Sequence, residues 1–429
     1  MTDADQTRRT IEAVCRIESA KLIAGLARFV REVGLAEELA QDAFVAALEQ
    51  WPQSGIPDNP AAWLMTAAKR RAIDRIRRDV RRHRRYRELE GDRAMLSGAR
   101  DAELDAALEA IDAERDGSRI DDDLLRLIFV ACHPILSAEA RVALTLRLLG
   151  GLTTDEIARA FLIPETTVAQ RIVRAKRTLA AARVPFEVPN ASERRERLAS
   201  VLEVIYLIFN EGYAATAGDA WMRPALCEDA LRLGRMLAAL VGDESEVHGL
   251  VALIEIQASR MRARTTASGD PILLFDQDRS KWDRLLIGRG LAALACAERI
   301  GVALGPYALQ ASIAACHARA KTAEETDWMR IVALYDALAQ LTPSPVVDLN
   351  RAIAIGMAYG PLAALEIVDA LIDEPALRDY PFVHGARADL LFRLGRRVEA
   401  RTAFERAADV TRNARDRAML LARAERSAG

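Results

Sequence analysis

The chain has 429 residues, of which 51% are hydrophobic, 28% charged and 5% aromatic, with a formal net charge of −2. This length exceeds what one small core accommodates, so we expect two or three domains. The abundance of alanine, leucine and arginine predicts a soluble, nearly all-helical protein.

The sequence argues against a secreted, membrane-bound or metal-binding protein. Residues 1–5 are acidic and are not followed by the apolar core of a signal peptide. The longest apolar runs, such as Val204 to Phe209, are far too short to cross a bilayer. The five cysteines have no paired spacing, which favours packed thiols in a reducing cytoplasm over disulfides or metal ligands. We therefore expect a cytoplasmic protein with no membrane contact, no metal site and no cofactor.

Two helices are predicted at the start of the chain. The first runs from about Thr7 to Val33 and is stopped by Gly34, and the second runs from about Leu35 to Gln50. The outward positions of the second helix are polar and mostly acidic: Glu38, Gln41 and Asp42. On composition alone, these three residues are a solvated face.

A third helix is predicted to begin at Pro60 and to become strongly basic. Between Lys69 and Arg87 there are eleven Lys or Arg against two Asp. Such a density of cations is expected where a helix lies across phosphates and releases their counterions. From Glu88 to Ile120 the balance reverses, with ten acidic residues against four Arg, and this stretch reads as a linker beside a nucleic-acid contact.

A helix–turn–helix pattern is predicted in the next region. Thr153 and Glu156 form a capping box that begins one helix, and Pro164 separates it from the next. The second helix has a single apolar stripe formed by Val168, Ile172, Ala175 and Leu179. Its opposite side, with Arg171 on the flank, carries Thr166, Gln170, Val173, Arg174 and Arg177. These side chains suit a DNA recognition helix, although an amphipathic hairpin with a solvated basic face fits the same pattern.

These motifs together resemble a known family. The segments Glu38–Phe44 and Pro60–Leu64, followed by the arginine-rich helix, resemble region 2 of bacterial RNA polymerase sigma factors. The stretch from Gly151 to Arg171 resembles region 4 of the same proteins. Having only these two regions, close together, is typical of the extracytoplasmic-function group. The resemblance covers about residues 8 to 183.

The resemblance implies a division of roles. The second helix would bind the β′ clamp helices of core RNA polymerase through Glu38, Gln41 and Asp42, and region 4 would meet the β flap. The minus-10 element would be melted and read by Asn59, Trp63, Lys69, Arg70, Arg71, Arg75 and Arg78. Trp63 is equally compatible with a core position. The minus-35 element would be read by Thr166, Thr167, Gln170, Arg171, Arg174 and Arg177. The acidic linker would either enter the polymerase channel or remain a solvated tether.

The remainder of the chain is an extension that a minimal member of the group lacks. After a proline-containing linker from Arg183 to Ser192, helical patterns continue to the end. Three segments resemble the second helix of tetratricopeptide repeats: Ile331/Tyr335/Leu338/Pro343, Ala363/Ile367/Ala370/Pro375 and Ala400/Phe404/Ala407. Such arrays stack helix pairs into a curved binding surface. We expect it to bind the chain's own sigma regions or a protein or peptide regulator.

The predicted architecture is thus all-α. It comprises a region 2 bundle at 8–90, an acidic linker at 91–120, a helix–turn–helix region 4 at 121–183 and a repeat-like extension at 193–429, with repeats from about 305. The predicted function is that of a non-enzymatic sigma factor whose extension regulates it. One alternative is a helix–turn–helix regulator with a sensor domain, which leaves 35–90 unexplained. Another is a C-terminal enzyme that uses Asp276 and Asp278.

Overall fold

The structure, a computed structural model, describes residues 3–89, 118–161, 163–216, 218–378 and 380–427. Eighteen α-helices account for most of these residues, and only two isolated β-bridges occur among them. The all-α fold class is therefore confirmed. Most of the acidic segment predicted as a linker at 91–120 lies outside the described residues. Within the described part, no helix is long and apolar enough to span a membrane.

The chain divides into two compact units. The first contains residues 1–158 and 163–201, and the second contains residues 159–162 and 202–429.

The first unit begins with three helices that pack on one another: α1 (Asp3–Val30), α2 (Val33–Ser54) and α3 (Pro60–Leu89). The prediction that Gly34 ends the first helix is wrong. The chain turns at Arg31, whose φ of 55° is left-handed, and the Glu32 side chain caps α2 by accepting a hydrogen bond from the Leu35 amide at 3.0 Å. Gly34 therefore lies in the first turn of α2. Helix α2 also extends past Pro52, because a proline in the last turn removes only one backbone donor.

Four further helices complete most of this unit: α4 (Ser118–Ala131), α5 (Ala138–Leu148), α6 (Thr154–Phe161, whose residues 159–161 are assigned to the second unit) and α7 (Glu165–Ala181). Two glycines allow the tight turn after α5. A Cβ on Gly150 would lie 2.4 Å from the carbonyl oxygen of Leu146, and Gly151 has a φ of 70°. This turn leads directly into the first helix of the helix–turn–helix.

The second unit is built from helices connected largely by short loops. They are α8 (Ala191–Tyr213, whose residues 191–201 belong to the first unit), α9 (Pro224–Leu240), α10 (Ser245–Ala258), α11 (Arg284–Ile300), α12 (Pro306–Arg319), α13 (Trp328–Leu341), α14 (Pro345–Ala358), α15 (Pro361–Leu371), α16 (Pro381–Arg393), α17 (Arg397–Val410) and α18 (Ala414–Arg426). From α12 onward, each helix packs against the next along the chain. This succession is the arrangement expected of stacked helix pairs.

The predicted repeat positions agree with the core in two of the three segments. Buried positions of the first and third segments include Ile331, Leu338, Ala400, Phe404 and Ala407. In the second segment Ala363 and Ala370 are exposed, whereas Ala364 and Val368 are buried. The register predicted there is wrong by one residue, which corresponds to a rotation of about 100° around the helix.

A residue near the end of the second unit forms hydrogen bonds with residues near the start of that unit. Asn413 is 1% exposed, and its side-chain nitrogen, Nδ2, donates hydrogen bonds to the backbone carbonyl oxygens of Ala215 at 3.2 Å and Ala220 at 2.9 Å. The side-chain oxygen of Asn413, Oδ1, caps α18 by accepting from the backbone amides of Arg415 and Asp416. The helical array of this unit is therefore closed by a polar contact rather than left open at its C-terminal end.

Candidate polymerase and promoter interfaces

Helix α7 has two faces of different chemistry. The predicted apolar stripe is buried: Val168, Ile172, Ala175 and Leu179. The opposite side is exposed at Thr166, Gln170, Val173, Arg174 and Arg177, and half-buried at Thr167 and Arg171. The predicted orientation of this helix is therefore confirmed. Guanidinium, amide and hydroxyl groups project from one surface of a rigid helix, which is the arrangement needed to reach base edges and phosphates.

The preceding helix is fixed by reciprocal capping. The Thr153 amide donates to Glu156 Oε2 at 2.7 Å, and the Glu156 amide donates to Thr153 Oγ1 at 3.1 Å. Pro164 then serves as the N-cap of α7, and its carbonyl oxygen accepts from the Thr167 amide at 2.9 Å. The capping box and the break at Pro164 are both confirmed.

The start of α3 combines a helix cap with an aromatic pair. The Asn59 side chain accepts a hydrogen bond from the Ala62 amide at 3.0 Å, so it caps the helix. Trp63 is half-buried, and its ring meets the buried ring of Trp51 edge-on with centroids 5.2 Å apart. Trp63 therefore packs on the core with part of its surface and exposes the rest, and its contact with the minus-10 element stays a prediction.

The basic positions of α3 differ in exposure. Side chains are described in this helix only as far as Arg78. Arg70, Arg75 and Arg78 are exposed, whereas Lys69 and Arg71 are half-buried. One terminal nitrogen of Arg71 is buried without a hydrogen-bond partner among the described residues. Arg71, one of the residues predicted to read the minus-10 element, is therefore less accessible to DNA than Arg70, Arg75 and Arg78.

The polar face of α2 is exposed at all three predicted positions, Glu38, Gln41 and Asp42. The Glu38 carboxylate forms a salt bridge with Arg75 of α3 at 2.8 Å. A residue predicted to bind polymerase and one predicted to bind DNA therefore pair with each other in this structure. Both side chains are about half exposed, so the pair contributes little and can separate when either partner binds.

A buried carboxylate that the sequence did not single out lies beside this face. Glu37 is 3% exposed and accepts from Arg147 of α5 at 2.7 Å and from Gln41 at 2.6 Å. It also pairs with Lys176, on the buried side of α7. Glu37 thus joins α2 both to α5 and to α7, the second helix of the helix–turn–helix. In the sequence, the only feature that points to Glu37 is its position next to Glu38 in the polar stretch of α2.

A second buried carboxylate holds the first helix to α4. Asp123 is 3% exposed and pairs with Arg126 at 2.6 Å and with Arg28 of α1 at 3.3 Å. Burial raises the pKa of Asp123 above its ordinary value despite both arginines. The two N-terminal regions of the chain therefore pack as one unit with charged groups in their interface.

Comparison with known proteins agrees with this geometry. The model "Sigma-70 region 2" matches residues 18–82, and "Sigma-70, region 4" matches residues 126–179. The ECF RNA polymerase sigma factor SigK of Mycobacterium ulcerans (strain Agy99) is 30% identical over 158 residues, which cover 36% of this chain and 75% of that protein. This chain belongs to the extracytoplasmic-function family of RNA polymerase sigma factors. It is therefore a transcription-initiation factor whose partners are core RNA polymerase and promoter DNA.

Other matches to this sigma factor differ in how much of the chain they cover. A model described as "Family of unknown function (DUF6596)" matches residues 197–298. A protein of Rhizobium meliloti (strain 1021) described as uncharacterized is 46% identical over 395 residues, covering 92% of this chain and 90% of that protein. SigK of Mycobacterium tuberculosis (strain H37Rv) is 28% identical over 156 residues, covering 35% of this chain and 74% of that protein. No solved structure matches.

The loop suggested as an enzyme site is held by structural contacts. Asp276 and Asp278 are exposed, and Asp278 caps a short helical turn by accepting from the Ser280 amide at 2.9 Å. Arg279 donates to the carbonyl oxygens of His317 at 2.7 Å and Ala320 at 2.8 Å. This loop therefore binds its own unit together. Sigma-factor families are not enzymes, and the matches to regions 2 and 4 account for the residues that a simple helix–turn–helix regulator left unexplained.

The cysteines whose side chains are described are mostly packed thiols, as predicted. Cys132, Cys227 and Cys316 are buried, and Cys296 is half-buried. Burial raises the pKa of Cys132 to about 11 and that of Cys227 to about 12, so both remain protonated at neutral pH.

Proposed function

We propose that the helices of the first unit divide promoter recognition among three surfaces. The observation that carries the proposal is the exposed face of α7, where Gln170, Arg174 and Arg177 project opposite a fully buried stripe. On this proposal α7 enters the major groove of the minus-35 element. Thr166, Thr167 and Arg171 flank the same surface and contact bases or phosphates at its edges.

The minus-10 element is assigned to α3 and the turn before it. The exposed Arg70, Arg75 and Arg78 provide a cationic track for the DNA backbone, with Lys69 and Arg71 beside it. Trp63 offers its solvent-facing side to an unstacked base. Asn59 acts mainly by fixing the first turn of α3, since its side chain caps that helix.

Core polymerase is assigned to the exposed side of α2, where Glu38, Gln41 and Asp42 would bind the β′ clamp helices, with region 4 on the β flap. Binding there frees Arg75 from Glu38, so the same event supplies a cation for DNA. The exposed Glu38–Arg75 salt bridge costs little to break, so it does not oppose the binding of polymerase to this face.

For residues 193–429 we propose a regulatory role. The support is architectural, since the helices from α12 to α18 pack in succession as in repeat proteins that bind other proteins. The ligand of this surface is either the chain's own sigma regions or a protein or peptide regulator.

Reconstituted transcription tests these assignments. Purified full-length protein is added to core RNA polymerase with a genomic promoter library, and promoter-dependent run-off transcripts are sequenced. We expect transcripts that start downstream of a shared pair of promoter elements. An Asp42→Arg variant should lose core binding in a pull-down while keeping its fold, and Asp58→Arg, an exposed change outside the proposed clamp-binding face, is the control. No transcript above that of core enzyme alone would overturn the assignments.

A further inference from the structure

The second unit contains a cavity that promoter recognition does not use. It has a volume of about 330 Å³ and is lined by residues of α8, α10, α12, α13 and α14, together with Arg260 and Leu274. This volume lies within the range of small-molecule sites, roughly 300–1,000 Å³. The question is which ligand chemistry its walls favour.

Aromatic rings form much of the wall. The rings of Phe209 and Tyr213 stack with centroids 5.3 Å apart, and Tyr206 and Tyr335 contribute two further rings. The Tyr206 hydroxyl donates to the Gln310 side-chain oxygen, Oε1, at 3.1 Å, so the ring is held in place. Walls of fixed aromatic rings favour a flat, apolar ligand.

Arg260 is the only charged residue among those that line the cavity. Its Nε donates to the Tyr213 hydroxyl at 3.1 Å, and its Nη2 donates to the same oxygen, which leaves Nη1 and the outer hydrogen of Nη2 for a ligand. The guanidinium lies over the rings of Tyr213 and Trp282, 5.8 and 5.7 Å from their centroids. None of the described carboxylates forms a salt bridge with it. Ring faces offset part of the positive charge of this half-buried guanidinium but supply no full negative charge.

Two more arginines increase the positive charge around this cavity. Arg264 is 5% exposed and donates to the Tyr213 carbonyl oxygen, and Arg279 donates to the carbonyl of His317. Burial lowers the pKa of both guanidinium groups, with Asp416 and Glu324 opposing that effect from longer range. Within the described part of the chain, neither arginine has a carboxylate at ion-pair distance. The surroundings of the cavity are thus cationic.

His317 lines the cavity and also has a buried imidazole nitrogen, Nδ1, without a hydrogen-bond partner among the described residues. The residue is 9% exposed. Burial, reinforced by Arg260 and Arg279, lowers the pKa of His317 to about 3, so the ring is neutral at physiological pH. A neutral imidazole can hydrogen-bond a polar substituent of a ligand without repelling it or changing its charge.

We propose that this cavity binds a small aromatic carboxylate, with the carboxylate on Arg260, the ring among the tyrosines and a polar substituent at His317. A guanidinium matches a carboxylate through parallel hydrogen bonds, which fixes the ligand's orientation as well as its charge. The carboxylate of such a ligand would supply the negative partner that Arg260 lacks among the described residues.

Isothermal titration calorimetry on the full-length protein tests the proposal directly. The probes are benzoate and indole-3-acetate, each compared with its uncharged analogue, benzamide or indole-3-acetamide. We expect at least one carboxylate to bind with a Kd below about 1 mM and its amide to bind about tenfold more weakly or worse. Arg260→Met should weaken carboxylate binding by about tenfold or more, and Arg260→Lys should retain part of it.

A matched control lies two residues away. Arg262 is exposed in the same short helical turn and does not line the cavity, so Arg262→Met should bind like the parent. Thermal unfolding of each variant establishes that the fold is intact. Absence of binding by both carboxylates at about 10 mM, equal affinity for the amides, or unchanged binding by Arg260→Met would each overturn the proposal. Because calorimetry requires no polymerase, a failure here is distinct from a failure of the transcription assignments.

Discussion

Two neighbouring residues of the same type have different roles when one is buried and the other is exposed. Glu37 and Glu38 are consecutive carboxylates on α2, yet Glu37 is 3% exposed and the Glu38 side chain is 59% exposed. The sequence places both in a polar stretch and does not reveal which one turns inward. That difference arises from contacts with Arg147 and Lys176, more than 100 residues away.

Replacing the buried carboxylate should destabilise the first unit. Glu37→Gln leaves two cations, each only about one-fifth exposed, without their shared negative partner. We expect the free energy of unfolding of this unit to fall by about 2–3 kcal/mol. The measurement is urea denaturation of the full-length protein, followed by tryptophan fluorescence.

The adjacent residue supplies the control for that experiment. Glu38→Gln breaks an exposed pair with Arg75, so its effect on unfolding should stay below about 1 kcal/mol. The order reverses in a core-polymerase pull-down, where we expect Glu38→Gln to bind less well. Equal destabilisation by the two variants would contradict the role assigned to Glu37.

At the scale of helices, local signals predicted boundaries well where a side chain fixes the end. The Thr153–Glu156 capping box, the start at Pro60 and the break at Pro164 are all found in the structure. Gly34 misled because a non-glycine residue, Arg31, takes the left-handed turn instead. The register predicted for the second repeat was wrong because it relied on alanines, and alanine occurs on both buried and exposed faces of a helix.

The proposed DNA surface was predictable only as far as helix geometry fixes it. The apolar stripe of α7 determines which side of the helix faces solvent, and hence the exposure of Gln170 and Arg174. The pairing of Glu38 with Arg75 was not predictable, because it depends on how α2 packs against α3.

Substitutions on α7 test whether its exposed face reads bases. On a minus-35 duplex chosen from promoters that the protein transcribes, Gln170→Ala and Arg174→Ala should each lower the binding free energy by about 1–3 kcal/mol. Arg174→Lys distinguishes two kinds of contact, since it restores a phosphate contact but not a bidentate base contact. Binding is measured by fluorescence anisotropy at several salt concentrations.

The exposed Thr178, on the last turns of the same helix, provides the control as Thr178→Ala. It should bind like the parent and unfold at the same temperature. Parent-like affinity of both Gln170→Ala and Arg174→Ala would exclude this face from minus-35 recognition.

At the scale of the whole molecule, long-range contacts decide where each unit ends, and the sequence does not display them. Asn413 bonds to Ala215, 198 positions earlier in the chain. The start of α8 likewise belongs to the first unit. Arg197 donates to the Phe129 carbonyl at 2.8 Å, and Ser200 donates to the Cys132 carbonyl at 2.6 Å. The sequence predicts a linker from Arg183 to Ser192 but does not predict that the residues after it pack with the first unit.

Two truncations therefore separate regulation from simple loss of structure. A chain ending at Arg183 loses the Arg197 and Ser200 hydrogen bonds and the buried Leu198 and Val201, whereas a chain ending at Val201 keeps them. We expect the shorter chain to be less stable by at least about 3 kcal/mol, from two buried apolar side chains and the lost hydrogen bonds. Urea denaturation of both truncated chains gives this difference.

Transcription by the longer truncation then isolates the role of the second unit. If residues from 202 onward regulate the sigma factor, the chain ending at Val201 differs from the full-length protein in promoter output, both in cells and with purified core polymerase. The comparison is valid because the longer truncation retains the contacts of α8 with the first unit. Identical output from the two proteins, at equal protein level, would refute a regulatory role for the extension. Equal stability of the two truncations would instead refute the assignment of residues 191–201 to the first unit.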